Sequence, residues 1–171
     1  KATELYDAIK AAGFRAKIDT SDNSLGWKCA QYEMKGVPLR IEIGPRDIAE
    51  NKCVTVMRHN YEKEAVSLDN IAETVKEKLQ TVRDGMYKKA YDNRARRTHI
   101  CKTLDDITEA LKDGDGFIKA MWCGSETCED EVKAKTGVGS RCIPLDGEQV
   151  SDVCVCCGKP AKALVLWAKA Y

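Results

Sequence analysis

Apolar and polar residues alternate along the chain in two rhythms, one helical and one strand-like. Residues 2–12 set Leu5, Ile9 and Ala12 at helical spacing, and Gly13 ends the run, which predicts an amphipathic helix. Phe14, Arg15, Ala16, Lys17 and Ile18 alternate apolar and polar and predict a half-buried strand. Residues 19–26 are polar and turn-forming around Asp22 and Asn23. A short helix is expected over 27–35, stopped by Gly36. Over 37–43, Val37, Leu39, Ile41 and Ile43 take one face while Arg40 and Glu42 take the other, the period of a strand. Gly44-Pro45 breaks it, a helical turn follows at 47–50, and residues 52–58 and 61–66 read as two more strands, the second weaker.

A long helix is predicted over 68–97, because Leu68, Ile71, Ala72, Val75, Leu79, Val82 and Met86 form one stripe. Gly85 inside it costs about 1 kcal/mol relative to Ala and allows a bend. Beyond it the pattern predicts a helix at 104–112 closed by the glycine-rich 113–116, a strand at 117–122, a helix at 125–135, and strands at 140–144 and 163–168. The pattern implies two α/β units, with a boundary near 97–103: one over 1–100 and one over 101–171. No internal repeat or low-complexity tract is present.

Composition narrows the classes. At 171 residues, the chain has room for one ordinary domain or two small ones. Lys plus Arg is 28 and Asp plus Glu is 27, a net charge of +1, with 43% hydrophobic residues. That excludes collagen, rods and charge-driven disorder. No apolar run approaches the ~18 residues of a membrane span. The chain opens on Lys1, directly in helix-like sequence, which suggests a fragment, a processed product or a trimmed piece.

Nine cysteines are the compositional anomaly, and an odd count argues against a fully paired disulfide framework. Cys123 and Cys128 are spaced C-x4-C, and Cys154 and Cys157 C-x2-C, with Gly158 letting backbone amides approach the sulfurs. Two such pairs supply the four thiolates of a closed, structural zinc site, which stabilises a fold and activates no water. A unit below ~80 residues gains from such a staple. The alternatives are an iron–sulfur cluster or unligated thiols, and Cys156 competes with Cys154 as ligand. Cys29, Cys53, Cys101 and Cys142 sit in or beside apolar segments and are expected in the core. His59 and His99 belong to no catalytic motif and read as exposed or loop residues.

The segment from Glu33 to Ile48 carries a second constellation. Glu33, Lys35, Arg40, Arg46 and Asp47 could read unpaired bases, since carboxylates accept from guanine N1 and N2 while Arg and Lys donate to base acceptors and phosphates. Tyr32 and Trp27 could stack on bases. The competing reading is a solvated sheet face with surface ion pairs. Lys88, Lys89, Arg94, Arg96 and Arg97 form a basic cluster at the end of the long helix, where positive charge is also favourable for the helix itself.

The run WKCAQYEMKGVPLRIEIGPRDI resembles the anticodon-binding domain of class II prolyl-tRNA synthetases. The likeness continues through KCVTVMRH, CGSETCED, SRCIPL and CVCCGKPAKALVLWAKAY, in order and over essentially the whole chain. The cysteine spacing and terminal tyrosine are similar to the archaeal and eukaryote-like branch. The resemblance implies an α/β fold: a mixed five-stranded-sheet anticodon-binding domain, lacking its first strand here, then a small α+β zinc-binding domain. It implies proline tRNA as partner, read at the two guanines ending its anticodon. Glu33, Arg40, Arg46 and Asp47 match the guanine contacts, Arg58 and Lys63 match positions near the anticodon loop, and Cys123, Cys128, Cys154 and Cys157 match the zinc ligands. Tyr171 matches a terminal residue whose carboxylate approaches the active site of a separate catalytic domain. That domain would supply ATP and Mg2+ chemistry and dimerisation in the cytoplasm, so this chain alone should not activate proline. The rival from another class is a stand-alone, zinc-stapled RNA-binding or interaction module.

Overall fold

The computed structural model describes residues 1–112, 114 and 116–170. The expected terminal role of Tyr171, and Asp113 and Asp115 of the glycine-rich turn, lie outside the described residues. The chain divides into two compact units, Lys1–Lys89 and Ala90–Tyr171.

In the first unit, helix α1 (Ala2–Ala11) buries Ile9, and α2 (Leu25–Met34) starts at Ser24, whose hydroxyl accepts from the Trp27 amide. Strands β1 (Leu39–Glu42), β2 (Lys52–Met57) and β3 (Lys63–Ser67) form an antiparallel meander in that order, with α3 (Pro45–Ala49) between the first two. Register pairs Arg40 with Val56 and Val56 with Lys63, so these three side chains share one face. The opposite face meets α1 and α4 (Ile71–Arg96) around Ile9, Cys53, Ile71 and Val75, with Leu39, Ile41 and Val66 against them.

Residues 14–18 depart from expectation. Phe14, Ala16 and Ile18 are half-buried and Arg15 and Lys17 exposed, so the alternation is real, and Phe14 and Ala16 pack on the core. The segment joins no ladder among the described residues, so the unit's sheet there has three antiparallel strands instead of five mixed ones. Period two reports sidedness, and a ladder also requires a neighbouring strand.

In the second unit, strands β4 (Thr98–Ile100), β5 (Phe117–Trp122), β6 (Val138–Cys142) and β7 (Ala163–Lys169) form a mixed sheet in the order β4-β5-β7-β6. Among the described residues only the β4–β5 pair is parallel. Helices α5 (Leu104–Ala110) and α6 (Glu126–Thr136) complete it. Thr103 caps α5 by accepting from the Asp106 amide, and Asp106 accepts from the Lys102 and Thr103 amides. Gly137, at φ +75, ends α6 in the left-handed region. The core gathers Ile107, Ile118, Ala120, Val132, Val138, Val165 and Trp167, whose indole donates to the Ala120 carbonyl at 3.3 Å.

Of the cysteines expected in the core, Cys53 and Cys101 are buried, Cys29 is half-buried and Cys142 is exposed. Cys142 ends the edge strand β6, beside a register shift after Ser140, which turns it outward. Burial and the nearby Asp106 carboxylate push the Cys101 thiol up to about 11, keeping it neutral.

Helix α4 runs without interruption through Gly85. A Cβ on Gly85 would lie 2.3 Å from Cδ2 of His59, so the imidazole occupies the space a side chain would need. His59 sits in the β2–β3 turn, as a loop residue should, but its Nδ1 is buried and has no hydrogen-bond partner among the described residues. In an exposed helix, Gly85→Ala would stabilise by about 1 kcal/mol. Here we expect overpacking to destabilise by about 1–3 kcal/mol in urea unfolding, with His59→Ala added to Gly85→Ala recovering most of the loss. A single Gly85→Ala variant more stable than the parent would refute the contact.

Candidate nucleic-acid interface and metal centre

The outward face of β1 carries a charged network. Arg40 donates from Nη1 to Glu33 Oε1 at 2.5 Å and from Nε to Glu42 Oε1 at 2.9 Å. Lys63 Nζ reaches Glu42 Oε2 at 3.1 Å. Partial burial opposes the Arg40 charge, but the hydrogen bonds to Glu33 and Glu42 outweigh it and hold its pKa above the ordinary value. Burial likewise opposes the Glu42 charge, and bonds from Lys63 and Arg40 outweigh it and keep its pKa low. Arg40 and Glu42 thus each hold the other in its charged form. Glu42 was visible in sequence only as half of a polar face; its bridging depends on Lys63, two strands away.

Beside this network lies a shallow cleft lined by Tyr32, Glu33, Val37, Arg40, Val56, Arg58 and Tyr61. Val56, buried, lies between Arg40 and Lys63 in register. The Arg58 guanidinium lies over Gly36, with Cζ 3.8 Å from where a Cβ would be, and Gly36 has φ +78. A side chain there would be strained by the backbone, while its Cβ would meet the guanidinium only at ordinary van der Waals distance. The Arg58 amide donates to the Pro38 carbonyl, tying the turn to the start of β1.

Glu33, Arg40 and Arg58 therefore line one cleft, and Lys63 joins them through Glu42. Arg46 and Asp47 stand apart on α3. Arg46 is exposed, while Asp47 Oδ2 accepts from the Gly44 amide at 2.7 Å, a helix-start bond that occupies one carboxylate oxygen. Of the aromatic candidates, Trp27 is 50% exposed on α2. Tyr32 has the Lys17 and Lys35 ammonium groups 5.6 Å from its ring centroid. Tyr61, which the sequence pattern placed only at the start of a strand, lines the cleft as well.

In the second unit, Cys123 follows β5, Cys128 lies in the first turn of α6, and Cys154 and Cys157 sit in a turn before β7. The turn is closed by the Gly158 amide donating to the Cys154 carbonyl, with Gly158 at φ +69. It is stitched to β5 through Val155 N–H to the Met121 carbonyl and Lys162 N–H to the Trp122 carbonyl. Gly124, at φ +87, packs its backbone under the Lys162 stem.

The sulfurs of Cys123, Cys128, Cys154 and Cys157 lie within 4.8 Å of one another, a set that could hold a metal ion. A tetrahedral ion with ~2.3 Å bonds to sulfur separates its ligands by ~3.8 Å. The Cys123 and Cys157 sulfurs are 3.8 Å apart, so the set fits. Burial disfavours the Cys154 thiolate, but amides of Cys157, Cys156 and Cys123 outweigh it and lower its pKa to about 7. Burial and neighbouring thiols push Cys128 up, so without a cation the four are not thiolates together. Cys156 lies outside this set: its thiol donates to Glu131 Oε2 at 3.2 Å, and burial and that carboxylate raise it to about 11.

Both units match known proteins. Residues 1–78 match the family model described as an anticodon binding domain, and residues 104–171 match that described as prolyl-tRNA synthetase, C-terminal. The chain is 53% identical over its whole length to the proline–tRNA ligase of Ruminiclostridium cellulolyticum, and 48% identical to those of Lachnospira eligens and Clostridium botulinum. It spans 36% of the length of each of these relatives. With both domains matched in chain order and this identity sustained from first residue to last, the chain belongs to the prolyl-tRNA synthetase family and carries its anticodon-binding and C-terminal domains.

Proposed function

We propose that this chain is the tRNA-recognising part of a proline–tRNA ligase, and that the cleft around Arg40 and Glu33 reads guanine in the proline anticodon. The observation that carries this is the hydrogen-bonded Arg40–Glu33 pair in a cleft of a domain matched to anticodon binding. Guanine presents both partners the pair needs: its N1–H and N2–H donate to a carboxylate, and its O6 and N7 accept from a guanidinium. A base that enters can replace each bond it displaces, so little desolvation goes uncompensated. Arg58 and Lys63 supply positive charge for the flanking phosphates. Arg46 and Asp47 serve a second contact from α3, with the free Asp47 oxygen as acceptor.

In this reading residues 1–100 recognise tRNA and 101–171 form the zinc-binding domain. The ion is Zn2+, held by Cys123, Cys128, Cys154 and Cys157 as a closed structural site. ATP and Mg2+ act in a catalytic domain of the same protein, which works in the cytoplasm as a homodimer, and the domain plan is that of the archaeal and eukaryote-like branch. No helix among the described residues is long and apolar enough to cross a membrane.

Filter binding with proline tRNA, and with the same tRNA after its two anticodon guanines are changed to cytosine, tests the recognition. The intact chain should prefer the cognate tRNA at least about tenfold, and Arg40→Ala should lose about 1–3 kcal/mol of cognate binding. Equal affinity for both tRNAs would sink the proposal.

Metal analysis should give one equivalent of zinc per chain. Chelation should expose the second unit to hydrogen exchange more than the first. Cys154→Ser should abolish binding of zinc while Cys156→Ser retains it; the reverse result would make Cys156 the ligand.

A further inference from the structure

We propose that Tyr61 is the stacking platform of this cleft, taking one face of the unpaired base whose edge Arg40 and Glu33 read. The inference rests on the anticodon reading and adds to it the residue that binds the base plane. Hydrogen-bonding groups alone specify an edge; an unstacked base also needs an apolar surface for its face.

Tyr61 lines the cleft together with Arg40, Glu33 and Arg58. The residue is 58% exposed. Its backbone is the more telling feature. Three non-glycine residues among those described have positive φ: Asn51 at 52°, Tyr61 at 59° and Asn70 at 57°. Asparagine tolerates that region because its short amide bonds locally, whereas an aromatic residue gains nothing from it and meets its own carbonyl.

The turn, and not the ring, imposes this conformation. The Tyr61 amide donates to the Met57 carbonyl at 2.8 Å, and the Met57 amide donates to the Glu62 carbonyl. Asn60 accepts from the Glu62 amide and donates to its carboxylate. His59 fills the space over Gly85 and anchors the turn on α4. A glycine would suit position 61 better for folding. Its replacement by a large, exposed aromatic at the wall of a charged cleft points to a ligand that uses the ring.

Tyr32, the other aromatic in the cleft, is less suited. Two lysine ammonium groups approach its ring, so a base would have to displace them.

Because folding and stacking place opposite demands on position 61, they can be separated. Thermal unfolding and filter binding are measured on the full chain with Tyr61→Gly, Tyr61→Ala, Tyr61→Phe and Tyr61→Trp. Tyr61→Gly should unfold at the same or a higher temperature than the parent while losing about 10- to 100-fold in affinity for proline tRNA. Tyr61→Ala should lose similarly, and Tyr61→Phe and Tyr61→Trp should restore most of the affinity. Unchanged binding by Tyr61→Gly overturns the proposal, and so does a loss in Tyr61→Phe as large as in Tyr61→Ala, which would mean a hydroxyl contact. A drop in unfolding temperature of Tyr61→Gly matching its loss of binding would show a structural role and overturn it too. If the parent discriminates against the cytosine-substituted tRNA while the Tyr61 variants bind normally, only the stacking role fails. If the parent does not discriminate, the anticodon reading fails and the stacking role with it.

Discussion

Four sulfurs held within 4.8 Å of one another constrain everything around them in the second unit. They come from three places: the exit of β5, the first turn of α6, and the turn before β7. Bringing them together fixes where β5 ends, how α6 enters, and how the chain returns antiparallel along β5 as β7. Four thiolates at that distance would repel one another, and the protein's own amides favour the thiolate at Cys154 alone among the shifts resolved. A divalent cation held there would remove the repulsion and convert the crowding into a cross-link. The apolar layer of Ile118, Ala120, Val165 and Trp167 could then remain small and still define one fold.

The first unit uses charge differently. Glu33 and Glu42 face Arg40 and Lys63, two negative groups against two positive ones, so the network is locally neutral. A neutral network exerts little long-range pull on RNA, in keeping with a chain whose net charge is +1. What it offers at short range is a fixed pattern of donors and acceptors, partly withdrawn from water. On the proposed reading, such a pattern would discriminate by what it leaves unpaired: a base that did not answer the Arg40–Glu33 geometry would strand a charged group in the cleft. Asp47, spent in part on the start of α3, can offer only one oxygen beyond that duty.

Local signals in the sequence were reliable where structure depends on local chemistry. The alternation of Leu39, Arg40, Ile41 and Glu42 gave a strand with the charged residues on one face, and the spacing of Cys123, Cys128, Cys154 and Cys157 foretold a cluster. Properties set by distant partners were hidden. Glu42 bridges to Lys63 only because β2 and β3 fall into a particular register. Residues 14–18 alternate correctly yet pair with nothing described, since sidedness does not supply a neighbour. Strand β4 is three residues long and parallel to β5, too short for periodicity to register. Cys142 has an apolar neighbourhood in sequence and an exposed place in space, because an edge strand's end faces water.

Gly85 shows how far apart the cause and the effect of such a constraint can lie. In sequence it is a flaw in a 26-residue helix. In space the missing side chain is the seat for His59, with a buried ring nitrogen that no group answers. Both features are unfavourable for stability taken singly, and both hold the β2–β3 turn in one position. That turn carries Arg58 on one side of His59 and Tyr61 two residues beyond it, two walls of the same cleft. A flexible turn would have to be ordered each time a base entered, and binding would bear that entropy. A turn wedged against a helix has already lost it during folding. The helix glycine, the unanswered imidazole and the left-handed tyrosine are then three parts of one preorganised wall, each a local cost that makes sense only at the cleft.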